Sequence, residues 1–240
     1  MAAEGQTVWS LLTGVQQPVA ETRLQDLLTC VASLYGYSHA GFVTLDRAGS
    51  ELELILSNWD EDFTAAYEAQ HLNRYSPIVR ALKADPEPFV WTVESLFGYD
   101  PTEPETFEGP VQFLLGEQLC GGMFLPVHGL TGFCGAISFL GGRSSPSTAE
   151  INEMRCAGFA LFGMLAAFRF EENRLNNPLS QREKDCLKLA MLGKTSSEIG
   201  SMISLSEYTV SQHLASATRK MGAANRTHAV AMAAQLGYLS

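Results

Sequence analysis

The amino-acid sequence predicts an α+β fold, in which an α/β/α sandwich with an antiparallel sheet precedes an all-α domain of four helices with a helix-turn-helix. Two observations lead to this prediction. Apolar residues first follow strand and helix periods in alternation, and near the end of the chain they follow the helix period alone. Residues 1–175 hold nine Lys and Arg against 22 Asp and Glu, whereas residues 176–240 hold seven against four. Such an asymmetry predicts two domains with different partners.

A break in the helical pattern marks the predicted domain boundary. Asn176, Asn177 and Pro178 interrupt a long helix, because asparagine and proline favour turns. Ser180 can then cap a new helix, and Glu183, three residues later, completes a capping box. The predicted domains are therefore 1–173 and 180–240, joined by a linker over 174–179.

Helical and strand patterns alternate in the first domain. Leu24, Leu28 and Val31 recur on one face of a helix, whereas apolar runs bounded by turns predict strands. Ser147 caps the last helix, with Glu150 at the third position. The predicted helices are 22–35, 60–70, 77–84 and 147–174. The predicted strands are 39–46, 52–57, 123–129 and 132–142. This order fits an antiparallel sheet with helices on both faces.

The second domain is predicted to be helical throughout. Gly193 and Gly222 end its first and third helices, and Ser197 and Ser206 are candidate caps. The second and third helices are joined by only three residues, which is typical of a helix-turn-helix. The predicted helices are 181–192, 196–203, 207–221 and 225–237.

The third helix of this domain has two different faces. Its apolar residues fall within a narrow arc that packs on the domain core, and these are Val210, Leu214, Ala217 and Met221. The opposite face is small and polar, and it carries Tyr208, Ser211, Gln212, Ala215 and Arg219. Such a face can enter a DNA major groove without clashing. Periodicity alone leaves open a plain four-helix domain whose third helix is only solvated.

The motifs of this region resemble the DNA-binding domain of the LuxR family. They are L-S-x-R-E at 179–183, S-x-x-T-V-x-x-H-L at 206–214 and K-M-G at 220–222. The resemblance implies that a dimer binds a palindromic operator in double-stranded DNA. The implied DNA contacts are Lys194, Thr195, Tyr208, Thr209, Ser211, Gln212, His213, Ala215, Arg219, Lys220 and Arg226. Family members often carry Lys or Arg at two of these positions, where this chain has Ser211 and Ala215. We therefore expect modest affinity from one copy.

Residues 20–170 resemble the autoinducer-binding domain of quorum-sensing LuxR regulators, and they do not match a phosphoacceptor receiver domain. The resemblance rests on NWDEDFTAAYEAQHLNRYSPIV, PFVW, GGMFLPVHG and GAISF, in that order. It implies a pocket for an N-acyl homoserine lactone, walled by aromatic side chains. The candidate ligand-binding residues are Trp59, Phe63, Tyr67, Ser76, Trp91, Gly122 and Ser138, of which all but Trp59 match family positions.

Two of these positions depart from the family pattern. Phe63 stands where the family has a tryptophan that bonds the lactone carbonyl, and Ser76 stands where an aspartate takes the amide N–H. A neutral serine makes a weaker hydrogen bond than a carboxylate, and phenylalanine makes none. We therefore expect a poor response to standard lactones, with either another small apolar ligand or none. Trp59, one turn before Phe63, is a candidate replacement donor, and a pocket filled by its own side chains is the alternative.

The long helix at 147–174 is a candidate dimer surface, because small residues along it allow close approach. The predicted contacts are Cys156, Phe159, Ala160, Gly163, Met164 and Ala167. Packing within the domain core is the alternative. A second hypothesis for function is that the protein sequesters other LuxR-type regulators through its first domain, with weak DNA binding.

Other classes of protein are disfavoured. The five cysteines are odd in number and lack C-x-x-C spacing, so we expect buried, reduced thiols in the cytoplasm and no metal or cofactor. The longest apolar stretch, 156–168, is too short to span a membrane, and no signal peptide is evident. Ser138, His128 and Asp46 could be imagined as a catalytic triad, but a G-x-S-x-G elbow is missing, so we expect no enzyme activity.

Overall fold

The computed structural model describes residues 7–16, 19–46, 50–74, 78–80, 83, 87–102, 109–128, 134–143 and 145–239. The chain divides into two compact units, Met1–Ala166 and Ala167–Ser240. The linker at 174–179 stays a prediction. The predicted α+β architecture, with a sandwich followed by a helical domain, is confirmed.

A five-stranded antiparallel sheet forms the middle of the first unit. Its strands are β1 (His39–Leu45), β2 (Leu52–Ser57), β3 (Phe89–Thr92), β4 (Gly121–His128) and β5 (Cys134–Gly141), and their order in the sheet is β2-β1-β5-β4-β3. The four predicted strands are present, although the turns predicted within residues 47–50 and 129–132 lie largely outside the described residues. Strand β3 was not predicted, because its four residues are too few to establish a period.

Helices cover both faces of this sheet. They are α1 (Val8–Leu12), α2 (Glu21–Leu34), α3 (Glu61–Ala69), α4 (Val93–Phe97), α5 (Pro110–Gly116) and α6 (Thr148–Leu175). One core lies between the sheet and α1, α2 and α6, and a second core lies on the opposite face, with α3, α4 and α5. Successive residues of one strand serve different cores, as Phe42 and Val43 do. Strands buried on both faces read as continuous apolar runs.

The predicted start of α6 is confirmed. Ser147 Oγ accepts a hydrogen bond from the Glu150 amide at 3.3 Å, and the Glu150 carboxylate accepts one from the Ser147 amide at 2.8 Å. Arg143 binds the same carboxylate at 2.7 Å. Hydrogen bonds from Arg143 and Ser147 hold the pKa of Glu150 at about 2. This cap fixes where the long helix begins.

By length and composition alone, α6 could cross a membrane, with a mean hydropathy of 1.2 over its most apolar stretch. Its buried residues nevertheless pack in the first core. These are Met154, Ala157, Gly158, Leu161, Phe162, Met164 and Leu165. We therefore interpret α6 as the core helix of the first unit.

The second unit contains the predicted helices close to the predicted bounds. They are α7 (Gln181–Met191), α8 (Ser196–Ile203), α9 (Glu207–Lys220) and α10 (Arg226–Gln235). Ser206 caps α9, as predicted. The predicted cap of α8 was wrong: Ser197 lies inside the helix, and Thr195 caps it through a box with Glu198. Thr195 has the extended backbone that a cap requires, whereas Ser197 lies within the helix and cannot cap it.

Gly200 lets α8 and α9 approach each other closely. A Cβ atom at this position would lie 2.5 Å from the carbonyl oxygen of Leu205, which is in the turn between the helices. The Leu205 amide donates to the Gly200 carbonyl oxygen at 2.9 Å. The backbone contact therefore sets the geometry of the helix-turn-helix.

Candidate functional site

Aromatic side chains cluster where α3 packs on the second face of the sheet. Phe63 and Tyr67 lie one turn apart on α3 and are both buried. The Trp59 ring lies 5.1 Å from that of Phe63 and 5.0 Å from that of Tyr67. His39 stacks on Phe63 with ring centroids 4.1 Å apart, and Phe113 lies 5.6 Å from Phe63 on another side. Phe63 is thus enclosed by its own neighbours.

His39 belongs to this cluster as a neutral aromatic ring. Burial lowers its pKa, and the carboxylates of Glu117 and Asp60 offset only part of that shift. The Ser38 hydroxyl lies 2.9 Å from Nδ1 of the imidazole. His39 was not predicted as a pocket residue, because its contact with Phe63 depends on the approach of α3 to the start of β1.

A small cavity of about 30 Å³ lies beside the aromatic cluster. Its lining residues are Val43, Leu52, Leu54, Trp59, Thr64, Tyr67, Glu68, Asn73, Phe124 and Ser138. A cavity of this volume holds a single water molecule, so a larger ligand requires side chains to move. Burial raises the pKa of Tyr67, which keeps its hydroxyl protonated and able to donate a hydrogen bond.

A larger open groove of about 400 Å³ lies beside α1 and the start of α2, and its lining includes Ser10 and Arg23. None of the predicted ligand-binding residues that the structure describes lines this groove. The cavity beside Trp59 is therefore the candidate ligand site, because the predicted Trp59, Tyr67 and Ser138 meet there.

Trp91 and Gly122 face each other on neighbouring strands, in register, within the same face of the sheet. A Cβ atom at Gly122 would lie 3.0 Å from the Trp91 indole, so only glycine leaves room for the ring. Trp91 is buried in the second core. Both residues thus form a wall of the cluster, although neither lines the cavity itself. Ser76 lies outside the described residues.

The outer face of α9 is free of the domain core. Tyr208 is 73% exposed, and Ser211, Gln212, Ala215 and Arg219 are also exposed. On the inner face Val210, Leu214 and Ala217 are buried with residues of the other three helices. The helix therefore presents a continuous small and polar surface that a partner can reach.

The other predicted DNA-binding residues already make contacts within the domain. Thr195 and Thr209 belong to the caps of α8 and α9, and the Lys194 ammonium lies 3.7 Å from the Glu198 carboxylate. Arg226 Nη2 donates to the carbonyl oxygen of Lys194 at 2.5 Å, and Lys220 Nζ donates to Glu183 at 2.8 Å. His213 is half-buried. These residues therefore stabilise the domain in addition to their predicted role in DNA binding.

The predicted dimer residues of α6 divide between two faces. Cys156, Phe159 and Gly163 are exposed, and a Cβ atom at Gly163 would meet nothing within 4 Å. Ala160 and Ala167 are partly buried. Met164 is buried in the first core, which is the alternative that the sequence left open for this helix, because its position on the helix turns it inward. The exposed set is apolar and centred on Phe159, which is 56% exposed.

The thiols are not all buried, contrary to the prediction. Cys186 is buried in the core of the second unit, but Cys30 and Cys156 are exposed and Cys120 is intermediate. Cys30 and Cys156 both lie on helices that pack on the sheet with their opposite faces. Among the described residues, no group of three or more His, Cys, Asp or Glu is arranged to hold a metal ion.

Comparison with known proteins decides the family. A family model of the autoinducer-binding domain matches residues 20–168, and a model of bacterial regulatory proteins of the luxR family matches residues 177–233. This chain belongs to the LuxR family of quorum-sensing transcriptional regulators. Its curated relatives are transcriptional regulators and not enzymes.

Two relatives and two solved structures are similar to this LuxR-type chain. It is 32% identical to the transcriptional activator protein BjaR1 of Bradyrhizobium diazoefficiens, over 75% of this chain and 73% of that protein. It is 29% identical to the quorum sensing-dependent regulator RpaR of Rhodopseudomonas palustris, over 94% and 90%. The crystal structure of Escherichia coli SdiA matches with a TM-score of 0.64 at 20% identity, covering 95% of this chain and 94% of that one. SdiA in complex with octanoyl-rac-glycerol gives 0.66, over 97% and 95%.

Proposed function

We propose that this LuxR-type regulator acts in the cytoplasm as a homodimer that binds a palindromic operator in double-stranded DNA. We further propose that its ligand pocket responds poorly to standard N-acyl homoserine lactones. The observation that carries the first part is the exposed polar face of α9, which lies opposite a buried apolar face. The domains that we assign to these functions are 180–240 for DNA and 1–173 for the ligand and the dimer, with a linker at 174–179.

The composition of the α9 surface sets the expected strength of DNA binding. Gln212 can pair with adenine in the major groove, and Arg219 can neutralise a phosphate. Ser211 and Ala215 are short and neutral where longer cations would reach bases or phosphates. One copy therefore makes few strong contacts with DNA. Two copies on a palindrome double the number of contacts, because the symmetry of the half-sites matches the two-fold symmetry of the protein.

Two neighbouring cations on α9 are expected to behave differently when replaced by alanine. Arg219→Ala removes an exposed charge and should weaken duplex binding without changing the stability of the domain. The slope of log affinity against log salt concentration should fall by about one unit, because one phosphate contact is lost. Lys220→Ala removes the partner of buried Glu183 and should lower the melting temperature. Fluorescence anisotropy over a salt series and thermal unfolding by circular dichroism measure the two effects. A Lys220→Ala protein with wild-type stability and a smaller salt slope would contradict this assignment.

The exposed apolar patch on α6 supports the dimer. Phe159 lies among Cys156, Gly163 and other small or apolar side chains, and large apolar patches on a soluble domain mark interaction sites. A two-fold axis across this patch would bring the same residues of two copies together. Phe159→Glu places two buried charges at such an interface and should give a monomer.

The test of the proposed function uses Phe159→Glu and a matched control, Ala65→Glu, which places the same charge on an exposed position of α3. Light scattering measures mass, and anisotropy measures binding to a palindromic duplex that the wild-type protein selects from a random pool. We expect a dimer that binds DNA for wild type and Ala65→Glu. Phe159→Glu should be monomeric and should bind at least tenfold more weakly, since it loses one of two half-site contacts. A dimeric Phe159→Glu protein would contradict the proposed interface.

The pocket supports the second part of the proposal. Phe63 offers no hydrogen bond, and it is enclosed by His39, Trp59, Tyr67 and Phe113. Losing two hydrogen bonds to a ligand costs roughly 1–3 kcal/mol each. The site therefore favours another small apolar ligand, or operation without a ligand, over a standard lactone.

A second candidate function is the sequestration of other LuxR-type regulators through the first domain. The neutral residues at Ser211 and Ala215 favour it, because they weaken DNA binding. Sequestration predicts that the wild-type protein selects no duplex from the random pool, yet forms mixed dimers with another regulator of the family. Recovery of a palindromic duplex excludes it as the main function.

A further inference from the structure

Three unpartnered polar atoms surround the cavity beside α3. Among the residues that the structure describes, the buried side-chain atoms without a hydrogen-bond partner include Trp59 Nε1, Asn73 Oδ1 and Ser138 Oγ. All three residues line the same cavity. Buried polar groups in folded proteins are almost always paired, so three orphans around one space need an explanation.

Asn73 is held in place by its neighbours along the chain. It lies in a 3₁₀ turn, Leu72–Arg74, that follows α3 after His71 adopts a left-handed backbone. Leu72 is buried in the second core, and Arg74 pairs with Glu51 at 2.9 Å. The segment is thus anchored on both sides of Asn73, which fixes the amide beside the cavity.

We propose that Asn73 is a specificity-determining residue in a site for an uncharged ligand. Asn73 Oδ1 accepts a hydrogen bond from the head group of that ligand, and Trp59 Nε1 donates a hydrogen bond to the same head group. This inference rests on the proposed ligand pocket and assigns the hydrogen-bond donors and acceptors within that pocket. Ser138, whose hydroxyl can donate or accept, completes the set. The ligand then carries an N–H or O–H donor next to a carbonyl oxygen and has no lactone ring, and its apolar tail contacts Leu52, Leu54 and Phe124.

The charge and position of the cavity define the ligand further. Glu68 is exposed and lines the cavity, so its carboxylate repels an anionic head group. Leu52 and Leu54 belong to β2, which is an edge strand of the sheet. Leu54 and Trp59 are only partly buried, so their side chains can rotate to enlarge the cavity while the sheet stays intact.

A matched pair of probes tests the role of Asn73 in the full-length protein. Octanamide has a carbonyl oxygen and N–H donors, whereas N,N-dimethyloctanamide has the same carbonyl oxygen and no donor; octanoate is the anionic counterpart. Isothermal titration should show wild type binding octanamide about tenfold more tightly than the dimethyl compound, the effect of one neutral hydrogen bond. Octanoate should bind more weakly than octanamide.

Three variants complete the test. Asn73→Leu should lose the preference for octanamide, whereas Asn73→Asp, which keeps an acceptor, should retain it. Thr64→Val is the control, because Thr64 also lines the cavity but its hydroxyl already donates to the Asp60 carbonyl oxygen at 2.8 Å. It should bind both probes like wild type. Melting temperatures without probe identify any variant that misfolds.

The outcomes separate this inference from the proposed function. An unchanged preference in Asn73→Leu, or a loss of preference in Thr64→Val, overturns the role of Asn73. If no probe binds the wild-type protein, the cavity holds only water and the inference fails. In that case duplex binding by the same preparation shows whether the DNA-binding function still stands.

Discussion

Replacing Gly200 with valine is expected to destabilise the DNA-binding domain by roughly 3 kcal/mol or more and to abolish duplex binding. A side chain at this position collides with the backbone of the turn at Leu205, which cannot move without shifting α9. Thermal unfolding followed by circular dichroism should show that the second unit of the variant loses its helical signal at a lower temperature than in the wild-type protein. The effect exceeds that of an ordinary surface substitution because the obstacle is backbone and not a flexible side chain.

Gly116→Ala is the matched control for this substitution. Gly116 ends α5, and a Cβ atom there would meet nothing within 4 Å. Alanine is also the better helix former, so the control should be neutral or slightly stabilising. A Gly200→Val protein that binds the selected duplex with wild-type affinity would show that the turn has a different geometry.

Glu183→Gln is expected to destabilise the same domain by roughly 2–4 kcal/mol. Glu183 is only 3% exposed, and its carboxylate accepts hydrogen bonds from the Ser180 amide at 2.7 Å and from Lys220 at 2.8 Å. The substitution removes the charge that pairs with Lys220. Glu198→Gln is the control, because Glu198 occupies the same capping-box position in α8 but its side chain is 52% exposed. Denaturant unfolding of the two variants should separate them clearly.

The contribution of Glu183 is expected to depend on pH. Burial by itself raises the pKa of Glu183, but hydrogen bonds from Lys220, Ser216 and Ser180 outweigh it and hold the pKa at about 2. Because the folded state has the lower pKa, its stabilisation is complete above the ordinary carboxyl value and is lost as the pH falls toward about 2. The stability difference between wild type and Glu183→Gln should therefore shrink on acidification below about pH 4.5. A difference that is constant over this range would contradict the assignment.

Periodicity predicted the long elements well because each of them buries one face over several turns or strand residues. The helix at α2 repeats Leu24, Leu28 and Val31 on its buried side, and β1 is apolar on both faces because helices cover both. The short elements α1, α4 and α5 could not be recognised in this way. They span five to seven residues, which is too short to display a helical repeat.

Side-chain pairing was the part that sequence could not predict. The sequence predicts Lys220 as a phosphate contact. Its partner Glu183 lies 37 residues away in sequence and contacts Lys220 only because α7 and α9 pack against each other. Asn73 lies within the segment that resembles the family but is not one of the predicted ligand-binding residues, and its significance depends on a cavity formed with Trp59 and Ser138 from other elements. For Met164 the sequence left a dimer contact and core packing both open, and its burial depends on how α6 is rotated against the sheet.

The measurement that most directly tests the central claim is thermal unfolding of the full-length protein with a panel of N-acyl homoserine lactones. A ligand that binds only the folded state raises the melting temperature. We expect no rise for wild type and a clear rise for the double variant Phe63→Trp with Ser76→Asp, which restores the two family side chains. A large rise for the wild-type protein at low lactone concentration would contradict the claim that its pocket has lost the response.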